Sequence, residues 1–112
     1  MSYSFPKSVR LRRRREFEKI GRQGSRLIGN KIVIELLSTS DDKVRLGITV
    51  TKKYGKAHDR NRFKRCVREA FRLSLPRLPK GLLLNIRPRL KSVNPTLSAV
   101  TEELLRLLKC SK

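Results

Sequence analysis

Residues 59–72, DRNRFKRCVREAFR, constrain this chain more than any other stretch, because they read as one helix with two very different sides. Phe63, Cys66, Val67, Ala70 and Phe71 recur at helical spacing and form an apolar stripe. At about 100° per residue, Arg60, Lys64, Arg65, Arg68 and Arg72 fall on a different arc, with Asn61 among them. One side must close over a core, and the other must face water or an anion. Asp59 is the expected N-cap, since its carboxylate can accept from free backbone N–H groups and suits the positive end of the helix dipole.

A basic face that is merely solvated usually interleaves Glu with Lys at i,i+4. Here only Asp59 and Glu69 offset the basic residues between positions 56 and 72, and Arg60, Lys64 and Arg68 are successive i,i+4 neighbours that repel one another. Arginine outnumbers lysine within the helix, as suits bidentate contact with phosphate. The whole chain agrees: 29 basic and 9 acidic residues give a net charge of +20, the balance expected of a partner for nucleic acid. A membrane-surface role would need an exposed apolar face on a basic helix, and the apolar residues here are committed to a core. No apolar run approaches the ~20 residues that cross a bilayer. The N-terminal basic residues are not followed by an apolar stretch, so no signal peptide is expected and the protein is expected in the cytoplasm.

At 112 residues the chain is read as a single nucleic-acid-binding domain over 1–112, with residues 1–10 a flexible basic arm. Arg12, Arg13, Arg14 and Arg15 lead into a short helix over about 13–23, with Gly24 as its stop. Residues 25–28 read as a short strand, turned by Gly29-Asn30 into a longer one over about 31–37. There Ile32, Ile34 and Leu36 face the core, and Val33, Glu35 and Leu37 the other side. After turn chemistry at 38–42, residues 44–50 alternate strictly, as a half-buried antiparallel strand does, with Gly47 leaving room on the polar face for a ligand. Residues 82–87 suit a strand covered on both sides. Asn94-Pro95 predicts an N-cap and first-turn proline for a last helix ending near Lys109. The resulting order is α-β-β-β-α-β-α.

The string RLGITVTKKYGKAHDRNRFKRCVREAFR, residues 45–72, closely resembles the signature of the bacterial ribonuclease P protein subunit. The resemblance rests on Arg60-Asn61-Arg62, Lys64-Arg65 and Arg68-Glu69-Ala70-Phe71, preceded by Thr51-Lys52-Lys53 and Gly55. It implies an α+β fold, a two-layer α/β sandwich with one four-stranded sheet similar to the second domain of ribosomal protein S5, with a left-handed β-α-β crossover. General handedness statistics would have favoured the opposite hand. It also implies partners: the catalytic RNA of ribonuclease P, contacted by Arg60, Asn61, Arg62, Lys64, Arg65 and Arg68, and precursor tRNA. The 5′ leader of the precursor would lie in a cleft lined by Phe17, Thr49, Thr51, Lys52 and Lys53. Arg12 to Arg15, Lys56 and Arg72 would add basic contacts. Phe17 has two readings, a core residue beside Ile20 or a ring that stacks on an unpaired base, and the residues alone do not choose between them. Two positions depart from the family pattern: Gly21 and Glu35 stand where aromatic residues are usual, and a carboxylate facing RNA repels it unless paired.

Autonomous cleavage is not expected. His58 is the one imidazole, beside the helix start, and no spacing gathers carboxylates into an acid–base pair or a metal site. Cys66 and Cys110 form no C-x-x-C pair, so neither zinc nor a disulfide-linked partner is expected. The resemblance instead implies Mg²⁺-dependent removal of the leader by the RNA subunit, with Mg²⁺ bound mainly by RNA and substrate and the protein assisting. A ribosomal or other structural RNA-binding protein would share the charge and size and is the alternative. A DNA-compacting protein ranks third, without a β-ribbon arm or a dimer zipper.

Overall fold

The computed structural model describes residues 14–39, 44–78, 80–89 and 95–110. Residues 1–13 (with Arg12 and Arg13), residues 40–42 of the expected turn, Asn94 and the side chains of Lys109 and Cys110 lie outside that description. The first helix, α1, spans Arg14–Gln23 and turns Phe17 and Ile20 inward. It ends at Gly24, whose N–H donates to the Ile20 carbonyl at 2.8 Å. A Cβ there would run into the Leu36 and Ile20 carbonyl oxygens, so glycine is what lets the helix stop against the sheet.

Four strands follow: β1 (Ser25–Ile28), β2 (Ile32–Ser38), β3 (Val44–Ile48) and β4 (Leu82–Pro88), in the spatial order β1-β2-β4-β3. β1 and β2 form an antiparallel hairpin, with the Gly29 N–H donating to the Ile32 carbonyl at 2.9 Å. β4 lies between β2 and β3, antiparallel to the first and parallel to the second. The expectation of an antiparallel β3 is therefore corrected: the strand pairs with β4 alone, in parallel. Its alternation reports one buried face, and a parallel edge strand with one open face gives the same period. Central β4 is buried from Leu82 to Ile86, as its apolar run required.

The parallel pair is joined through α2 (Ala57–Ser74), which packs with α3 (Leu97–Cys110) on one face of the sheet. Ile32, Ile34, Leu36, Leu46, Leu84 and Ile86 meet Phe63, Val67, Phe71, Val100 and Leu104 in the main core. Complete burial of each large side chain here stabilises by roughly 1.5–3 kcal/mol relative to exposure. On the opposite face, α1 covers one end, where Leu37 pairs with Leu83 and both pack beside Ile20 and Phe17. The result is a mixed α+β fold with one four-stranded sheet and three helices among the described residues.

Both expected helix caps are corrected. α2 starts at Ala57 after an extended Lys56, whose carbonyl accepts from the Arg60 N–H at 3.0 Å. Asp59 thus lies within the first turn, where its charge still suits the dipole. At α3 the cap is Thr96, whose hydroxyl oxygen accepts from the Ala99 N–H at 3.2 Å, and Pro95 precedes it. Glu103 serves neither cap nor dipole. It is buried, and its carboxylate accepts from the Lys31 N–H at 2.9 and 3.0 Å and from the Ile32 N–H at 3.3 Å, tying α3 to the β1–β2 turn. That close approach to the turn needs Gly29, since a Cβ at that position would collide with the carboxylate.

Candidate nucleic-acid interface

The amphipathic pattern of α2 is realised in three dimensions. Phe63, Val67, Ala70, Phe71 and Ser74 are buried, while Asn61, Arg62, Arg65 and Arg68 are exposed. Arg60, Lys64 and Arg72 are half-buried along the flanks. Two of these arginines have protein partners that spacing did not disclose. Arg60 Nη1 donates to the Gly55 carbonyl at 3.0 Å, and Arg72 pairs with Glu69 at i,i+3. Half-buried Cys66 packs at the core margin near the Pro95 carbonyl; burial pushes its thiol pKa up, against the charge of Arg62. His58 is exposed.

Ahead of α2, Lys52–Tyr54 forms a 3-10 turn with Thr51, Lys52 and Lys53 exposed. Lys56 is exposed as well. Tyr54, which the sequence reading passed over, is only 2 % exposed and packs its ring on Phe63, with centroids 5.5 Å apart and planes tilted by 53°. This pair pins the lysine turn to the base of α2. Burial, with the charge of Asp59 and Cys66 behind it, raises the Tyr54 hydroxyl pKa.

Phe17 and Thr49 belong to the other sheet face, the one that α1 partly covers. Phe17 is half-buried and packs beside Ile20, Leu37 and Leu83, so it is part of the core and still shows surface. Beyond α1 the floor is polar. A lateral row crosses the sheet through the pairs Arg26↔Glu35, Glu35↔Asn85 and Gly47↔Asn85. Glu35 does not repel RNA from that floor: its Oε1 accepts from Asn85 Nδ2 and Arg87 Nε, each at 3.0 Å, and its Oε2 from Arg26 Nη2 at 3.2 Å. Burial alone would raise its pKa, but the bonds from Asn85 and Arg87, the charge of Arg87 and the bond from Arg26 outweigh that and hold it below the ordinary 4.5. Thr49 Oγ1 donates to Asn85 Oδ1 at 3.0 Å, extending the network to β3. Gly47 is itself buried, which corrects the expectation of open space at that point. On α1, Arg14 and Arg15 are exposed, Arg15, Lys19 and Arg22 line a shallow cavity of about 370 Å³ with Glu16 and Gln23, and Gly21 leaves open space.

The candidate residues thus sort onto two surfaces: the basic arc of α2, and the polar sheet face with Phe17 at its wall. The turn at Lys52–Tyr54 lies in the chain between them. Among the described residues no three His, Cys, Asp or Glu side chains gather as a metal site, and no helix is long and apolar enough to cross a membrane.

The family model for ribonuclease P matches residues 5–112. This chain belongs to the bacterial ribonuclease P protein family. Its similarity to the ribonuclease P protein component of Chlamydia trachomatis serovar D is 42% identity over 104 residues, covering 92% of this chain and 85% of the relative. The corresponding protein of Thermotoga petrophila is 42% identical over 113 residues, covering 97% of each. Among solved structures, the RNase P protein from Thermotoga maritima superposes with a TM-score of 0.80 at 40% identity, covering 90% of this chain and 96% of that one. The Staphylococcus aureus RNase P protein gives 0.81 at 27% identity, covering 95% and 97%. Family membership makes the chain a protein component of an endoribonuclease holoenzyme, partnered with the ribonuclease P RNA.

Proposed function

We propose that this protein binds the catalytic RNA through α2 and the 5′ leader of precursor tRNA across the opposite sheet face, assisting removal of the leader. The observation that carries the reading is the outward arc of α2, where exposed Arg62, Arg65 and Arg68 stand back to back with a fully buried Phe63 and Val67. Fixed cations on a rigid helix set the register of an RNA by neutralising phosphates, without reading bases. Arg60, Asn61, Arg62, Lys64, Arg65 and Arg68 make that contact, Lys56 and Arg72 add basic contacts at the two ends of α2, and Arg12 to Arg15 add theirs elsewhere on the RNA. Phe17, Thr49, Thr51, Lys52 and Lys53 hold the leader. Sequence-tolerant binding suits leaders that differ from one tRNA to the next.

The described side chains do not fit a Mg²⁺ site, since no set of three ligating groups converges. In this reading Mg²⁺ and the hydrolysis it supports belong to the RNA subunit and substrate, and the protein works in the cytoplasm by positioning RNA. The test is reconstitution with the catalytic RNA at low Mg²⁺, where the protein should restore precursor cleavage. RNA affinity should also fall roughly 10³–10⁵-fold between 50 and 200 mM salt if about 6–10 phosphates are neutralised. Failure to stimulate cleavage, or an affinity nearly independent of salt, overturns the proposal.

A further inference from the structure

Glu35 is buried at 7 % exposure on the sheet face that α1 partly covers, and its carboxylate is shared by three donors from the two strands that flank it, Arg26 on β1 and Asn85 and Arg87 on β4. The two guanidinium groups it holds remain outward, with side-chain exposures of 48 % for Arg87 and 64 % for Arg26. Two cations around one anion leave a positive balance on the sheet floor. Arg87 gives only its Nε to the carboxylate, and among the described residues its two Nη groups are not engaged. A guanidinium anchored by one edge has a fixed plane, and its other edge is a fork that matches two oxygens of a phosphate. The anchor is robust near neutral pH, because the same donors hold the carboxyl below its ordinary pKa.

We propose that Glu35 positions Arg87 as a phosphate-binding residue on the cleft floor, so that one phosphodiester of an unpaired RNA strand is held by the outer guanidinium edge. The inference rests on the leader reading above and adds a residue to that site. It also gives Glu35 a use: where an aromatic side chain would offer a stacking surface, this chain offers an oriented charge. A phosphate is favoured over a base edge because the outward donors carry net positive charge.

The experiment uses the reconstituted holoenzyme and precursor tRNAs whose leaders carry a single neutral methylphosphonate, moved one position at a time. With the native protein, one position should weaken binding about tenfold, the scale of a single charge-assisted contact. Arg87→Ala should weaken the unmodified precursor by a similar factor and make that position silent. Glu35→Gln should blunt the effect at the same position, and Arg87→Lys should restore part of it, since charge returns without the fork. A purely structural role would lower binding equally for every methylphosphonate and silence none, which overturns the inference. A loss that follows base identity and not phosphate charge overturns it too. If leader-bearing and mature tRNA bind the native holoenzyme alike, the leader reading falls and this inference with it. If they differ but Arg87→Ala leaves the difference intact, this inference alone falls. Should Glu35→Gln fail to fold, Arg87→Ala carries the test, because it removes a half-exposed side chain and leaves Arg26 on the carboxylate.

Discussion

Replacing Glu103 by alanine should be the most damaging single polar substitution in the hairpin–helix contact. The carboxylate is 5 % exposed and takes the Lys31 N–H at 2.9 and 3.0 Å and the Ile32 N–H at 3.3 Å. A hydrogen bond to a charged group contributes about 1.5–3 kcal/mol net, and an orphaned buried donor costs a comparable amount. The Lys31 bond is shared between both oxygens and counts once, while the longer Ile32 bond counts for less. Glu103→Ala should therefore cost about 3 kcal/mol, and Glu103→Gln, which keeps one acceptor oxygen, about half of that. At roughly 4 °C per kcal/mol for a chain near this size, the alanine variant should melt about 12 °C lower. Urea unfolding of the free protein, with the m-value unchanged, measures the loss directly. A cost below about 0.5 kcal/mol for Glu103→Ala would show that the turn satisfies its donors without the helix, and would refute the clamp.

Arg65→Ala and Arg60→Ala should separate. Arg65 is exposed, so its loss should weaken catalytic-RNA binding and leave Tm unchanged or slightly raised, whereas Arg60→Ala should also cost about 1 kcal/mol through the Gly55 carbonyl; equal Tm values with equal affinity losses would refute the distinction. Phe17→Leu should cost about 1 kcal/mol in denaturant unfolding and also lower the ratio of precursor to mature tRNA affinity, because the half-buried ring has a packed side and an outer one. An unchanged ratio in the folded variant removes Phe17 from the substrate site. Because the folded pKa of Glu35 lies below the ordinary 4.5, its contribution to stability is complete above that pH and is lost as pH falls through the depressed value. Melting curves from pH 6 to pH 3 should show that acid-side loss in the native protein and a flatter profile in Glu35→Gln.

Local pattern disclosed the elements because burial imposes its own period. Phe63, Val67, Ala70 and Phe71 mark the inner side of α2, and Ile32, Ile34 and Leu36 mark one face of β2, whatever the rest of the chain does. Pairing partners are another matter. Nothing near Glu35 says that Arg87 and Asn85, 52 and 50 residues away, will neutralise it, so read alone it looked like a charge out of place. The direction of β3 was hidden for the same reason, since alternation is identical in parallel and antiparallel edges. Tyr54 could have been found, as an apolar ring in a basic loop just before a helix that needed a lid for Phe63. Thr96 could also have been preferred to Asn94, being the hydroxyl residue directly ahead of the helical run.

The Tyr54–Phe63 contact has a consequence for how such a protein can change over time. One ring carries the turn of Lys52 and Lys53, the other carries the arginine helix, and the two meet at a tilt inside the core. In the proposed reading these are the grips on two different RNAs, so the pair works as the pivot of a caliper whose jaws are set at a fixed span. A substitution on either surface adjusts one grip by itself. A substitution at the pivot resets the spacing of both at once, and any drift at Tyr54 would have to be matched by Phe63 before either RNA could be held in register.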